Sequence, residues 1–187
     1  MGVRERKVRE RQEREGRIVT GARAIAEEEG WAAVTIRRLA DEIEYSPPVL
    51  YGHFPGGRDD IVNAVVLEGF HDFTRVMRAA VEGAQGRDRL RVVVEAYRGF
   101  AADNPATYEA MFSMRSGLKF AHESTPPVLR EGFGLLVSVV DDGRGDADAR
   151  AEVFWSALHG MCVLAAAGRL PAAGERARVD ALCELFG

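Results

Sequence analysis

Apolar residues recur at steps of three and four along nearly the whole chain, and no sustained run alternates apolar with polar. That property sets aside sheet architectures and leaves helices. Ile18, Ala22, Ile25 and Ala26 share one face of a first helix. Glu28-Glu29-Gly30 stops it, with glycine just past its end. Later helices are expected over Asp59–Val81, Asp88–Ala102, Pro105–Ser116, Pro126–Val140, Asp148–Ala167 and Ala173–Leu185. The breaks between them have causes. Gly83 and Gly86 flank one turn, Asn104 caps a helix that Pro105 opens, and Gly143, Gly145 and Asp146 mark a loop. Gly168 and Pro171 part the last two helices. An all-α protein of about nine helices is expected.

Composition narrows the class further. A chain of 187 residues makes one domain, or one small module joined to a larger one. With 47% hydrophobic and 29% charged residues, it can bury a core, so disordered and low-complexity readings fail. Cys162 and Cys183 make no disulfide framework, which points to a reducing, cytoplasmic setting. No apolar run approaches the ~18 residues of a membrane span, so no membrane partner is expected. The opening Met1-Gly2-Val3-Arg4-Glu5-Arg6 lacks the apolar region of a signal peptide, and Arg6 breaks the myristoylation pattern. His53, His71, His122 and His159 lack metal-ligand spacing, as do the cysteines, so neither metal nor cofactor is expected. Net charge is −4, which by itself gives nucleic-acid binding no support. Its distribution is uneven. Arg4 to Arg17 holds seven basic against four acidic residues, and Ile18 to Asp60 holds four against eight. The first stretch reads either as a basic arm for phosphates or as a solvated helix end.

The stretch Thr35 to Phe54 is the most informative. Thr35 caps a short helix whose apolar face is Ile36, Leu39, Ala40 and Ile43, with Ala40 small enough for a close crossing. Glu44-Tyr45-Ser46 is a three-residue break. Ser46 is a good N-cap, and proline at the start of a helix costs little. Because a residue before proline avoids the helical region, the second helix is expected to start at Pro48 rather than Pro47. Leu50, Tyr51 and Phe54 give it an inner face. Two short helices joined by a tight turn form a helix-turn-helix, whose second helix fits a DNA major groove. The same pair also occurs in ordinary helical bundles. The outward set Pro47, Pro48, Val49, Gly52 and His53, poor in solvating charge, favours a contact surface. Arg37 suits the bidentate reading of a guanine edge, or is a solvated helix charge, and Val49 suits a thymine methyl.

Thr35-Ile36-Arg37, Leu39-Ala40, Ser46, Leu50-Tyr51, His53-Phe54 and Arg58-Asp59-Asp60-Ile61 resemble the N-terminal domain of tetracycline-repressor-type (TetR/AcrR) regulators, over residues 14–65. The resemblance implies a DNA-binding set of Thr35, Arg37, Ser46, Pro47, Pro48, Val49, Tyr51, His53 and Arg58. Tyr51 and His53 match the family's phosphate-contacting pair, and Arg58 matches the basic residue that opens the fourth helix. Glu44 stands where that family usually has glycine, Tyr45 where a smaller apolar residue is common, and Pro55-Gly56-Gly57 is one residue longer. A helix-turn-helix domain over residues 1–61, with a basic arm at 1–17, is expected to precede a helical ligand-binding and dimerisation domain over 62–187.

Tyr97-x-x-Phe100-Ala101, Asn104-Pro105-x-x-Tyr108-x-x-Met111-Phe112 and Trp155-x-x-Leu158-His159-Gly160 resemble a C-terminal regulatory domain named for its Trp-His-Gly signature, over residues 85–187. It implies a small-molecule effector lined by Tyr97, Phe100, Tyr108, Met111, Phe112, Phe133, Trp155 and His159. Read as residues alone, the same side chains are either core or the wall of a ligand cavity between helices, with Tyr97, Tyr108, Trp155 and His159 as its polar groups. Leu158, Cys162, Ala165, Ala166, Leu182, Leu185 and Phe186 suit a four-helix contact between two copies. A homodimer would read a near-palindromic duplex operator. The leading expectation is therefore a ligand-responsive repressor, with the fourth helix linking its two parts. An enzyme using His159 as a base, or a helical binding module, competes with it. No nucleophile motif or phosphate loop supports catalysis.

Overall fold

The structure is a computed structural model that describes residues 2–86, 88–114, 118, 122–143 and 145–187. Among these residues there are nine α-helices and no strand. They are α1 (Val3–Glu29), α2 (Ile36–Glu42), α3 (Pro47–His53), α4 (Arg58–Val81), α5 (Asp88–Asp103), α6 (Pro105–Phe112), α7 (Pro127–Val140), α8 (Ala147–Ala166) and α9 (Glu175–Phe186). Short 3-10 turns occupy Trp31–Ala33 and Ala172–Gly174. The expected helices appear with ends displaced by one or two residues, apart from α6. That helix closes at Phe112, where the N–H groups of Ser113 and Met114 both return to the Glu109 carbonyl. Its expected end, Ser116, lies outside the described residues. No helix among the described residues is long and apolar enough to cross a membrane.

The chain divides into two compact units, Met1–Gly69 with Asn104–Leu118, and Phe70–Asp103 with Lys119–Gly187. In the first, α1 packs against α2, α3 and α6. Ile18, Ala22 and Ile25 of α1 meet a core that includes Leu39, Ala40, Leu50, Ile61, Val65 and Val66, all buried. Ala40 is fully buried, as a close crossing requires, and Gly21 has the same role opposite. A Cβ on Gly21 would fall 2.6 Å from Ile43 Cγ2, so any side chain there would push α2 away.

The first unit also holds α6 by its end. Asn104 occupies the N-cap position of α6 but its side chain makes no cap bond. Glu27 of α1 caps the helix instead. Its Oε2 accepts from the Ala106 N–H at 2.9 Å, and its Oε1 accepts from the Thr107 N–H at 2.9 Å and the Thr107 hydroxyl at 2.6 Å. These are orphan donors of a first turn, where a carboxylate also meets the positive end of the helix dipole. Arg23 donates to Asn104 Oδ1 at 2.8 Å, and the buried indole of Trp31 donates to the Ala106 carbonyl at 2.7 Å.

In the second unit, α8 packs on α5 and α7, and α9 packs on α5 and α8. Its core gathers Phe73, Met77, Val93, Val94, Tyr97, Leu136, Phe154, Leu158 and Leu182. Phe73 sets its ring edge-on to both Tyr97 and Phe100, at 5.1 and 5.3 Å between centroids.

Candidate nucleic-acid interface

The helix-turn-helix is built from α2, a turn and α3. Thr35 caps α2 as its sequence suggests, its hydroxyl accepting from the Arg38 N–H at 3.1 Å. The turn is a Schellman closure: Glu44 N–H donates to the Asp41 carbonyl and Tyr45 N–H donates to the Ala40 carbonyl. That closure requires a left-handed residue at position 44, and Glu44 has φ 58°. Among the described residues it is the one non-glycine with positive φ. Tyr45 fits because its ring lies under the Arg17 guanidinium, 5.0 Å from the centroid.

The second helix starts at Pro47, not Pro48. Pro47 and Pro48 take the first two helical positions, where missing N–H groups leave no bond unmade. Ser46 is the N-cap, in extended backbone, and it works through its carbonyl. The Val49 and Leu50 N–H groups donate to that oxygen, and the Ser46 side chain makes no cap bond.

The predicted DNA-facing residues fall into two groups. Thr35, Arg37, Ser46, Pro47, Pro48, Val49 and Tyr51 are exposed. The Arg37 side chain makes no ion pair or hydrogen bond among the described residues, whereas its neighbour Arg38 is held between Glu42 at 2.5 Å and Glu29 at 2.8 Å. Tyr51 is 51% exposed and lays its ring edge beside Gly57. A Cβ on Gly57 would lie 3.1 Å from Tyr51 Cε1, and Gly57 has φ 65°, so the loop needs glycine there on two counts.

His53 and Arg58 turn toward the protein instead of outward. His53 keeps 10% of its side chain exposed and sets Nδ1 3.2 Å from Glu15 Oε1, pinning the end of α3 to α1. Arg58 donates from Nε to the Val34 carbonyl and from Nη2 to the Trp31 carbonyl, both at 2.9 Å. It clamps the 3-10 turn that precedes α2. Sequence reasoning missed both engagements because each joins residues far apart in the chain. The Arg38–Glu42 pair was readable from its i, i+4 spacing.

The predicted effector residues divide between the two units. Tyr97, Phe100, Phe133, Trp155 and His159 belong to the second, while Tyr108, Met111 and Phe112 belong to the first, where Tyr108 and Phe112 are in ring contact. In the second unit the Trp155 indole N–H donates to the hydroxyl of fully buried Tyr97 at 3.0 Å. Partial burial holds His159 below the ordinary imidazole pKa. A cleft of about 930 Å³ opens in the same unit between α5 and α9, lined by Arg91, Glu95, Arg98, Ala102, Glu175 and Val179 among others. None of the predicted effector residues lines it. Two of its three basic side chains are engaged, Arg98 with Glu175 and Arg91 with Asp180, while Arg176 has no ion-pair partner among the described residues.

Of the predicted dimerisation residues, Leu158 and Leu182 are buried within the second unit and stabilise its own core. They are not available to a second copy. Cys162 and Phe186 are half-buried, and the Phe186 ring meets Phe154 at 5.2 Å. Ala165, Ala166 and Leu185 are exposed, and so are Val153, Val163 and Leu164, which sequence reasoning did not single out.

Comparison with known proteins agrees with this architecture. Residues 18–65 match the family of bacterial regulatory proteins of the tetR type, and residues 90–186 match a tetracyclin repressor-like C-terminal domain. The chain is 31% identical over 157 residues to the HTH-type transcriptional regulator Rv0681 of Mycobacterium tuberculosis, covering 81% of this chain and 69% of that one. It is 33% identical over 99 residues to the HTH-type transcriptional repressor KstR of the same organism, covering 53% and 45%. A solved structure of a protein of unknown function from Rhodococcus sp. RHA1 superposes with a TM-score of 0.75 at 28% identity, over 92% of each chain. With helix-turn-helix and C-terminal bundle both matched, the chain belongs to the TetR family of DNA-binding transcriptional regulators.

Proposed function

We propose that the protein is a homodimeric repressor that holds a near-palindromic duplex operator and is released from it by a small apolar or amphipathic effector. One observation carries the reading. The outward face of α3, made of Pro48, Val49 and Tyr51, is exposed without solvating charge, beside an Arg37 that has no ion-pair partner among the described residues. In this reading Arg37 reads a base edge, Val49 meets a thymine methyl, and the Tyr51 hydroxyl meets a phosphate. Thr35, Ser46, Pro47 and Pro48 set the depth of approach. His53 and Arg58 act by positioning α3 and the turn before α2, through Glu15 and the Trp31 and Val34 carbonyls.

Residues 1–61 then read DNA, and 62–187 bind effector and partner. In this reading the Tyr97–Trp155 pair and half-buried His159 would supply the polar groups that an amphipathic ligand needs. The reading places the protein in the cytoplasm, with the chromosome, and assigns it no reaction and no cofactor.

Selection from a random duplex library tests it. Wild type should enrich a near-palindrome, and Arg37→Ala should relax one position of each half-site at a cost of about 1–3 kcal/mol. Tyr97→Ala or Trp155→Ala should alter effector response and leave effector-free binding intact. No enrichment by folded wild type would refute the reading.

A further inference from the structure

We propose that the N-terminal extension of α1 is a second phosphate-binding surface, on which Arg4, Lys7 and Arg14 engage the duplex backbone flanking the half-site. The inference rests on the DNA-reading role proposed above and adds a surface outside the helix-turn-helix. It starts from a deficit. Between Ile18 and Asp60 the four basic residues are outnumbered by eight acidic ones. Three of the four are engaged: Arg23 with Asn104 and Glu68, Arg38 with Glu29 and Glu42, and Arg58 with two backbone carbonyls. Arg37 alone is left, on a body whose local charge repels a polyanion.

The extension supplies what is missing. Residues 3–14 are helical and exposed, adding about 20 Å to α1. Arg4, Lys7, Arg11 and Arg14 recur at steps of three and four, so they form one stripe. Arg4, Lys7 and Arg14 have no ion-pair partner among the described residues. Within the stripe Arg11 is held by Glu15 at 2.8 Å, and away from it the charges cancel in pairs, Arg6 with Glu10 and Arg9 with Glu13. Val3 and Val8 border the stripe along a shallow groove that they share with Arg4, Lys7 and Arg11.

Direction comes from the helix itself. The same three-and-four spacing continues from Arg14 into Ile18, Ala22 and Ile25, the line by which α1 packs on the helix-turn-helix. The stripe therefore projects along the side of α1 on which α2 and α3 lie, and Glu15 ties its root to His53 at the end of α3. A duplex against α3 passes on that side, and each phosphate neutralised there releases counterions.

Anisotropy on a fluorescein-labelled duplex taken from the selection tests this, read as affinity against salt. Two duplexes are used, one extending a full turn beyond the half-sites and one trimmed to them. Arg4→Gln/Lys7→Gln/Arg14→Gln should flatten the salt slope on the long duplex by roughly 0.9 for each phosphate that is no longer neutralised. Site preference should persist, and the trimmed duplex should show a smaller change. Arg6→Gln/Arg9→Gln, away from the stripe, should leave the slope near wild type. An unchanged slope in the triple variant, or equal loss from both faces, overturns the proposal while leaving helix-turn-helix reading intact. So does a triple variant that loses binding to phosphatidylserine vesicles but not to duplex. Wild type that fails on both duplexes sinks the DNA reading itself, and this surface with it.

Discussion

Glu44 shows how one backbone angle can be set against the residue that carries it. The Schellman closure at the end of α2 puts position 44 at φ 58°, a conformation that costs an ordinary L-residue roughly 1–2 kcal/mol. Glu44 is exposed and its side chain gains nothing visible in exchange. Glu44→Gly should remove the strain and return part of the gain as added freedom of the unfolded chain. The net expectation is a stabilisation of about 1 kcal/mol, or roughly 2–4 °C in Tm for a domain of this size. Glu44→Ala keeps the Cβ and should gain nothing. Thermal unfolding of the three proteins decides it, since equal Tm for glycine and glutamate would show that the left-handed turn is not the source of strain.

At the scale of elements, the telling case is α6, a helix of eight residues whose first turn is capped by a side chain from α1. Glu27→Ala would strip acceptors from the Ala106 N–H, the Thr107 N–H and the buried Thr107 hydroxyl together. Leaving such donors unpaired should cost about 2–3 kcal/mol, and Glu27→Gln should recover part of it. Denaturant unfolding with hydrogen exchange at Ala106 and Thr107 checks this. Protection lost at those amides first is expected, and unchanged protection would rule the cap out. The sequence could not disclose this cap. Local patterns revealed the helices and the Thr35 cap, because each depends on residues within five positions, whereas the left-handed angle at Glu44 was signalled only by the glycine that the family usually has there. The Glu27–Thr107, His53–Glu15 and Arg58–Trp31 contacts join distant segments. Hence Asn104 looked like the cap of α6, and Arg58 and His53 looked free to meet phosphate. Tyr97, Trp155 and their neighbours read equally well as core or cavity, because both need apolar side chains at helical spacing.

For the whole molecule, the question is what covers the outer side of α8 and α9. From Val153 to Gly168 the chain has no Asp, Glu, Lys or Arg. Leu158 and Phe154 fill the inner side, and Val153, Val163, Leu164, Ala165 and Ala166 remain exposed. A helix apolar round its circumference calls for burial on both sides. Ser156 and Gly160 lie on the outer line with Val153 and Val163, so a second helix can approach closely. Leu185 of α9, 74% exposed, adds a further apolar contact. A two-fold pairing of this surface, the dimer proposed above, would bury these groups, and a dimer carries two copies of α3 for two half-sites. Leu164→Glu/Leu185→Glu should halve the mass seen by light scattering and leave the circular dichroism unchanged, since neither side chain is in the core. Affinity for a full palindrome should then fall by roughly a hundredfold or more, toward that for a single half-site, because the second half-site no longer binds at high effective concentration. A variant that stays dimeric, with full-site affinity intact, would place the two-fold elsewhere.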